Sequence, residues 1–298
     1  MTSGTTARVS IRAATEHDLP RLWEIRYANE IADLDDPPEP GSLPASFRHL
    51  LRHGLLQVAE RDGQVAGFGG RVDRGDVAFL SDLFIDPAEQ AGGIGRTLLD
   101  NLFADGIVAR CTLASIDFRA VALYTRFGMT PRWPNLTVIV RSSRLRLDRP
   151  EVDLVETSLA DAELRRWDGE SCGRSRPQDL EFFAREQCGR AFWVERAGTR
   201  VGYAVMRQDA ALLAPDETLT VGPVGGRTPA DAADAVLASV AWASQRAPRL
   251  EIALPGPHPA LPGLLAAGGQ IDYIETYCAS LPNMVDPERY AGSGGDLF

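Results

Sequence analysis

The chain contains no lysine: all 31 of its basic residues are arginine. That absence excludes a lysine-bearing phosphate loop, a lysine Schiff base and the strand lysine of a protein kinase. Cysteine is scarce. Cys111, Cys172, Cys188 and Cys278 form no C-x-x-C pair, so they read as reduced and mostly buried thiols. His49 and His53 stand at helical spacing but lack the intervening glutamate and third ligand of a zinc protease site, so no metal is expected. No apolar run approaches the ~20 residues of a membrane helix. The opening MTSGTTARVS lacks a basic start followed by an apolar stretch. A cytoplasmic protein with no membrane partner is therefore expected. A basic surplus is missing too, and a net charge of −10 argues against nucleic acid as a partner.

What is present is enough for two cores: 298 residues, 44% of them hydrophobic, favour two domains. The spacing of Leu19, Leu22, Trp23 and Ile31 predicts a helix from about Glu16 to Leu34, capped by Thr15. A Pro-rich acidic loop follows, then a short helix through Phe47, Leu50 and Leu51 that stops at Gly54. LLQVAE and QVAGFGG read as strands joined by the turn RDGQ, and VAFLSDLFI as a longer strand. GRTLLDNLFADG reads as a helix, VARCTLA as a strand, RAVALYTRFG as a helix and TVIVR as a strand.

The plan then repeats. LQVAERDGQV from Leu56 matches FWVERAGTRV from Phe192 at an offset of 192 − 56 = 136. Carried forward, that offset places Leu83 on Leu219, Ile85 on Val221 and Pro87 on Pro223. Duplication explains the echo, and coincidence between short apolar runs is the alternative. At the same offset Gln90, Gly93 and Gly95 meet Gly226, Pro229 and Asp231, so the second copy keeps the scaffold and loses the glycines.

Those glycines carry the chemistry. The segment Gln90-Ala91-Gly92-Gly93-Ile94-Gly95 lies between an apolar strand and a helix. Main-chain N–H groups at a helix start lack internal partners and sit at the positive end of the helix dipole, so such a turn can cradle a diphosphate without a metal. Gly93 and Gly95 bare the backbone, Gly92 adds freedom in φ, and Arg96 beside Thr97 supplies a charged donor. A dinucleotide fingerprint does not fit, because Gly93, Gly95 and Leu98 give G-x-G-x-x-L. The pyrophosphate of coenzyme A remains.

Here the sequence resembles the GNAT family of acyl-CoA-dependent N-acyltransferases, whose motif Q/R-x-x-G-x-G/A stands at Gln90 to Gly95. A second family segment, N-x-x-A-x-x-L-Y followed by x-x-x-G-F, is similar to Asp117, Ala120, Leu123, Tyr124, Gly128 and Met129, with Asp for Asn and Met for Phe. The resemblance covers about residues 8–145. It implies an α/β fold of mixed α+β type: two tandem GNAT-like domains, 1–147 catalytic and 151–298 degenerate. Each would be a mixed, mostly antiparallel twisted sheet flanked by helices.

The resemblance further implies acetyl-CoA as cosubstrate, and acetyl transfer directly to a primary amine of a small molecule or peptide. Phe84 and Ile85 would present backbone groups to the pantetheine and thioester. Gln90 to Thr97, Asp117, Ala120 and Tyr124 would hold the carrier, with Asp117 alternatively capping the helix that follows, and Tyr124 would also be the general acid. Asp82 would take the amine proton, or would be a solvent-facing or helix-pairing acid. Asp33, Asp35, Asp36 and Glu39 could draw in a cationic acceptor or form a solvated loop. A homodimer is compatible with the second half serving as an oligomer contact. The alternative function is a non-catalytic acyl-CoA-binding sensor or interaction protein.

Overall fold

The computed structural model describes residues 9–32, 34–208, 217–292 and 294. The fold is a mixed α/β one, and its packing divides into two compact units.

The first unit runs to Asp73 and resumes over Ala78–Val108. It comprises β1 (Ser10–Ala13), α1 (Leu19–Glu30), α2 (Ala45–His53), β2 (Leu55–Arg61), β3 (Gln64–Arg74), β4 (Val77–Ile85) and α3 (Ile94–Leu102). The strands lie in chain order, with β2 antiparallel to β1 and to β3. Asp62 and Gly63, both left-handed at φ 53° and 77°, close the β2–β3 hairpin, because two such residues match the twist of the strands they join. Ile94 and Leu98 of α3 pack on Ala59 and Ala66, with Ile11, Leu83 and Ile85 at the margin. Helix α1 is shorter than its apolar spacing predicts, and Thr15 does not cap it. Instead the Thr15 N–H and hydroxyl both donate to Asp18 Oδ2, at 2.7 and 2.8 Å. Asp18 is also gripped by the Arg12 guanidinium at 2.7 and 2.8 Å, so the helix begins only after that pair.

The second unit holds Arg74–Val77 and everything from Ala109 onward. In chain order it contains β5 (Ala109–Ala114), α4 (Phe118–Arg126), β6 (Thr130–Arg141), β7 (Asp153–Thr157), α5 (Ala162–Cys172), α6 (Pro177–Glu186), β8 (Arg190–Arg196) and β9 (Thr199–Arg207). Then come β10 (Thr218–Gly226), α7 (Pro229–Ala243), β11 (Arg249–Pro255), α8 (Ala260–Ala266), β12 (Gln270–Ala279) and β13 (Tyr290–Ala291). Its strand order is β5-β12-β6-β11-β10-β9-β8-β7, with β13 also on β10. The β10–β11 pair is parallel, which makes the sheet mixed. Strand β12 lies antiparallel between β5 and β6. A strand from late in the chain thus completes pairing begun early.

The repeat is visible in the hairpins, at a corrected register. In β2–β3 the pairing shifts between Ala59 and Glu60, and in β8–β9 between Val194 and Glu195. Both turns then place two left-handed residues, Asp62–Gly63 and Ala197–Gly198, between the strands. Arg61 therefore corresponds to Arg196, an offset of 196 − 61 = 135 rather than 136. Beyond the hairpins no constant offset holds. Pro87 opens a 3-10 turn whereas Pro223 lies within β10. Seven residues separate Ile85 from the helix cap Gly93, but Arg227 alone separates Gly226 from the cap Thr228. The second copy has not mutated the glycine turn. It lacks the turn.

Among the described residues, no helix is long and apolar enough to cross a membrane, and no group of three or more His, Cys, Asp or Glu side chains is placed so that it could hold a metal ion.

Candidate functional site

After Ile85 the chain leaves the sheet. Asp86 accepts a bond from the Ala88 N–H at 2.9 Å and so starts the single turn Pro87–Glu89. Gln90 is extended, and its Nε2 donates to Asn29 Oδ1 at 3.1 Å. Asn29 Nδ2 donates in turn to the Ile85 carbonyl at 3.0 Å, which ties the strand end and the turn to α1. Ala91 and Gly93 are left-handed, at φ 65° and 77°. Left-handed backbone at a residue with a Cβ costs roughly 1–2 kcal/mol, a strain held at the tip of this turn. Gly92 has a different task from the one its sequence suggests. The positive φ values fall on its neighbours, and its missing side chain makes room for Arg61, whose Nη2 stands 2.6 Å from where a Cβ would be.

Gly93 caps α3 with no side-chain bond. The first return bond runs from the Thr97 N–H to the Gly93 carbonyl at 3.1 Å, so the N–H groups of Ile94, Gly95 and Arg96 point out of the helix end. Gln90, Ala91, Gly92, Gly93 and Arg96 are exposed, Gly95 and Thr97 are half-buried, and Ile94 is the buried anchor. The Thr97 hydroxyl is turned back on Gly93 O at 3.2 Å. Arg96 extends into solvent, with Asp100 at 3.8 Å. Arg61 leans over the turn from the end of β2, its Nη1 bonded to Glu89 and its buried Nε without a partner. The Arg61 guanidinium therefore lies against the turn beside the open, positive end of the α3 dipole, whereas Arg96 points away into solvent. Arg61 is the residue sequence reasoning missed. The available signal was the Glu-Arg pair at Glu60–Arg61, repeated at Glu195–Arg196.

Asp82 is buried, and its Oδ1 lies 3.7 Å from Arg26 Nη1. Gly70 in β3 leaves space for it: a Cβ there would stand 3.2 Å from Asp82 Oδ2. Of the two alternatives drawn for this carboxylate, the helix-pairing one describes its contact. The Arg26 guanidinium also lies 5.7 Å from the centre of the Phe84 ring. Phe84 and Ile85 are half-buried. Trp23 donates to Gly41 O at 3.1 Å, and Tyr27 bonds Pro38 O, so both rings brace the acidic loop. In that loop Asp35, Asp36 and Glu39 are exposed, while Asp33 lies outside the described residues.

In the second unit Asp117 caps α4, accepting from the Arg119 N–H at 2.8 Å. Bonds from Arg119 hold the Asp117 carboxyl below its ordinary pKa, against the opposing effect of desolvation. Ala120 is half-buried and Tyr124 buried on α4, which packs on β6 and β12.

The strand-to-helix junction of the second copy is closed. Thr228 Oγ1 accepts from the Asp231 N–H at 3.1 Å and donates to Asp231 Oδ2 at 2.8 Å. Arg196 pairs with Asp231 and Asp234 at 2.6 Å each. Burial raises the Asp231 pKa, but Arg196 and Thr228 outweigh it and the carboxyl lies below its usual range. A Cβ on Gly226 would stand 2.2 Å from the Ala232 nitrogen, so the strand end packs directly against the first turn of α7. Strand β13 runs along β10, with Gly225 opposite Tyr290 and the Gly226 N–H on Arg289 O at 3.1 Å.

Residues 18–129 match the model of the Acetyltransferase (GNAT) family. Over those residues the chain is similar to a GNAT acetyltransferase domain. Solved structures with the GNAT fold cover almost the whole chain. A Pyrococcus horikoshii protein assigned as an acetyltransferase is similar at TM-score 0.72 and 17% identity, over 97% of this chain and 96% of that one. A GCN5-related N-acetyltransferase from Sphaerobacter thermophilus aligns at TM-score 0.62 and 15% identity, over 94% and 96%. A tandem GNAT protein from the clavulanic acid biosynthesis pathway aligns at TM-score 0.58 and 15% identity, over 91% and 98%. At these identities the likeness is one of fold. No curated protein matches the sequence.

Proposed function

We propose that the protein is an N-acyltransferase that moves an acetyl group from acetyl-CoA to a primary amine of a small molecule or peptide. One observation carries the reading: the N-terminus of α3 is uncapped and exposed, while the corresponding end of α7 is capped by Thr228 and blocked by Asp231. The residues fit a diphosphate. The backbone from Gln90 to Thr97 would hold it, with charge from Arg61 and Arg96; the assignment of Asp117 and Ala120 to the carrier rests on the family resemblance alone. Bound acetyl-CoA supplies an activated acyl thioester.

The chain's own groups then have two tasks. Tyr124 is assigned the proton given to the departing sulfur, since a phenol keeps its proton at neutral pH yet donates well. Asp82 is assigned the amine proton, through water, with Arg26 fixing the carboxylate. The Arg26 contact also favours a second reading, an acyl-CoA sensor without turnover, because a paired and buried carboxylate is a constrained base. The division into 1–147 and 151–298 is kept as one of descent, with only the first copy binding the carrier.

Acetyl-CoA should raise the melting temperature under both readings. Thiol release over an amine panel should occur only for the enzyme, and Tyr124→Phe should abolish most of it while leaving the thermal shift intact. A normal thermal shift without thiol release for any amine in the panel would select the sensor.

A further inference from the structure

The second unit contains a cavity of about 310 Å³ between α5, the end of β10 and the residue before β13. This is the small end of the range for ligand pockets. Arg166 and Glu170 line it and neutralise each other at 2.6 Å. Arg227 and Arg289 line it too, and neither has a carboxylate within ion-pair distance among the described residues. Each is fixed in place by other means. The Arg227 guanidinium lies 4.4 Å from the centre of the Trp167 ring. Arg289 spends only its Nε, on the Gly226 carbonyl at 3.0 Å, which leaves both terminal nitrogens of its fork. The Ser171 hydroxyl lines the same wall without a protein partner among the described residues.

Two uncompensated guanidinium groups brought together in a protein of net charge −10 repel one another unless an anion lies between them. Arginine forks suit the planar or tetrahedral oxygens of carboxylates and phosphates. We propose that this cavity binds a small dianion, a phosphate monoester or a dicarboxylate, through Arg227, Arg289 and Ser171. The cavity shares no residue with the turn before α3, and nothing in it depends on acyl transfer.

The test uses the full chain with inorganic phosphate and succinate as probes, and acetate at matched ionic strength as the control. A saturable rise in melting temperature is expected with phosphate, succinate or both, and not with acetate. Response to phosphate alone identifies phosphate esters, and response to succinate alone identifies dicarboxylates. Arg227→Gln and Arg289→Gln should each weaken the apparent affinity about tenfold or more, and should leave the acetyl-CoA shift unchanged. That comparison also separates this cavity from phosphate bound at the turn of Gln90. Should the variants fail to fold, the intact protein still decides: the probes must change tryptophan emission, and Trp167→Phe must remove the change. The proposal is overturned by no saturable response, by an equal response to acetate, by variants that bind as well as the parent, or by an acetyl-CoA shift lost with the two arginines.

Discussion

Arg61 and Gly92 act as a pair, and the pair can be taken apart one atom group at a time. Arg61→Gln removes the cation above the turn, so the KM for acetyl-CoA should rise about 10- to 100-fold with a small change in kcat. Gly92→Ala places a Cβ 2.6 Å from Arg61 Nη2. Because that contact is with the far end of a flexible side chain, the variant should fold normally and lose affinity as Arg61 is displaced. Equal KM values in both variants and the parent would remove Arg61 from the site.

His258 supplies a pH test on unrelated ground. Its Nδ1 accepts from the Ala260 N–H at 3.2 Å at the start of α8, and burial lowers its pKa from 6.5 to about 4. The folded state refuses a proton that the unfolded chain accepts, so stability is complete above about pH 6.5 and is lost as pH falls toward 4. The loss is on the order of 3 kcal/mol. Denaturant titration across that window should show the decline in the parent, and a shallower one in His258→Asn.

At the scale of elements, the two strand-to-helix junctions respond unequally to the same kind of change. Gly226→Ala would drive a Cβ onto the Ala232 backbone at 2.2 Å, and no rotamer relieves that contact. A loss of several kcal/mol is expected, beyond the usual range for a point change. The N-cap Gly93 has nothing within 4 Å of a Cβ, so Gly93→Ala should cost only the left-handed penalty of about 1–2 kcal/mol. Thermal melts of the two variants measure the contrast.

The elements also show what was legible beforehand. The hairpin turn at Asp62–Gly63 and the limits of β4 were readable because they depend on residues within a few positions. The register between copies was misread by one residue because short apolar runs match at either offset, and only the pairing shift common to both hairpins selects 135. The glycine turn was recognisable by its motif. Arg61 was not, because its place above Gly92 exists only once the β2–β3 hairpin is formed.

At the scale of the whole molecule, the order of strands rather than the order of residues determines what can stand alone. Strand β6 has β11 on one side and β12 on the other, and both lie far beyond residue 147. A fragment of residues 1–147 should therefore be collapsed or aggregating rather than cooperatively folded, despite holding the family motifs intact. A sharp melting transition in that fragment would contradict the expectation. No local pattern announces β12: its first five residues are exposed and its last three buried, which is neither the alternation of a half-buried strand nor the run of a fully buried one. Its place follows from partners that the chain specified much earlier. That arrangement has a consequence during synthesis. At ~5–20 residues per second, Gln270 leaves the ribosome on the order of ten seconds after Arg141, and through that interval the edges of β5 and β6 wait for their neighbour. A chaperone that shields unpaired strands on nascent chains should therefore be needed most between those two moments of translation.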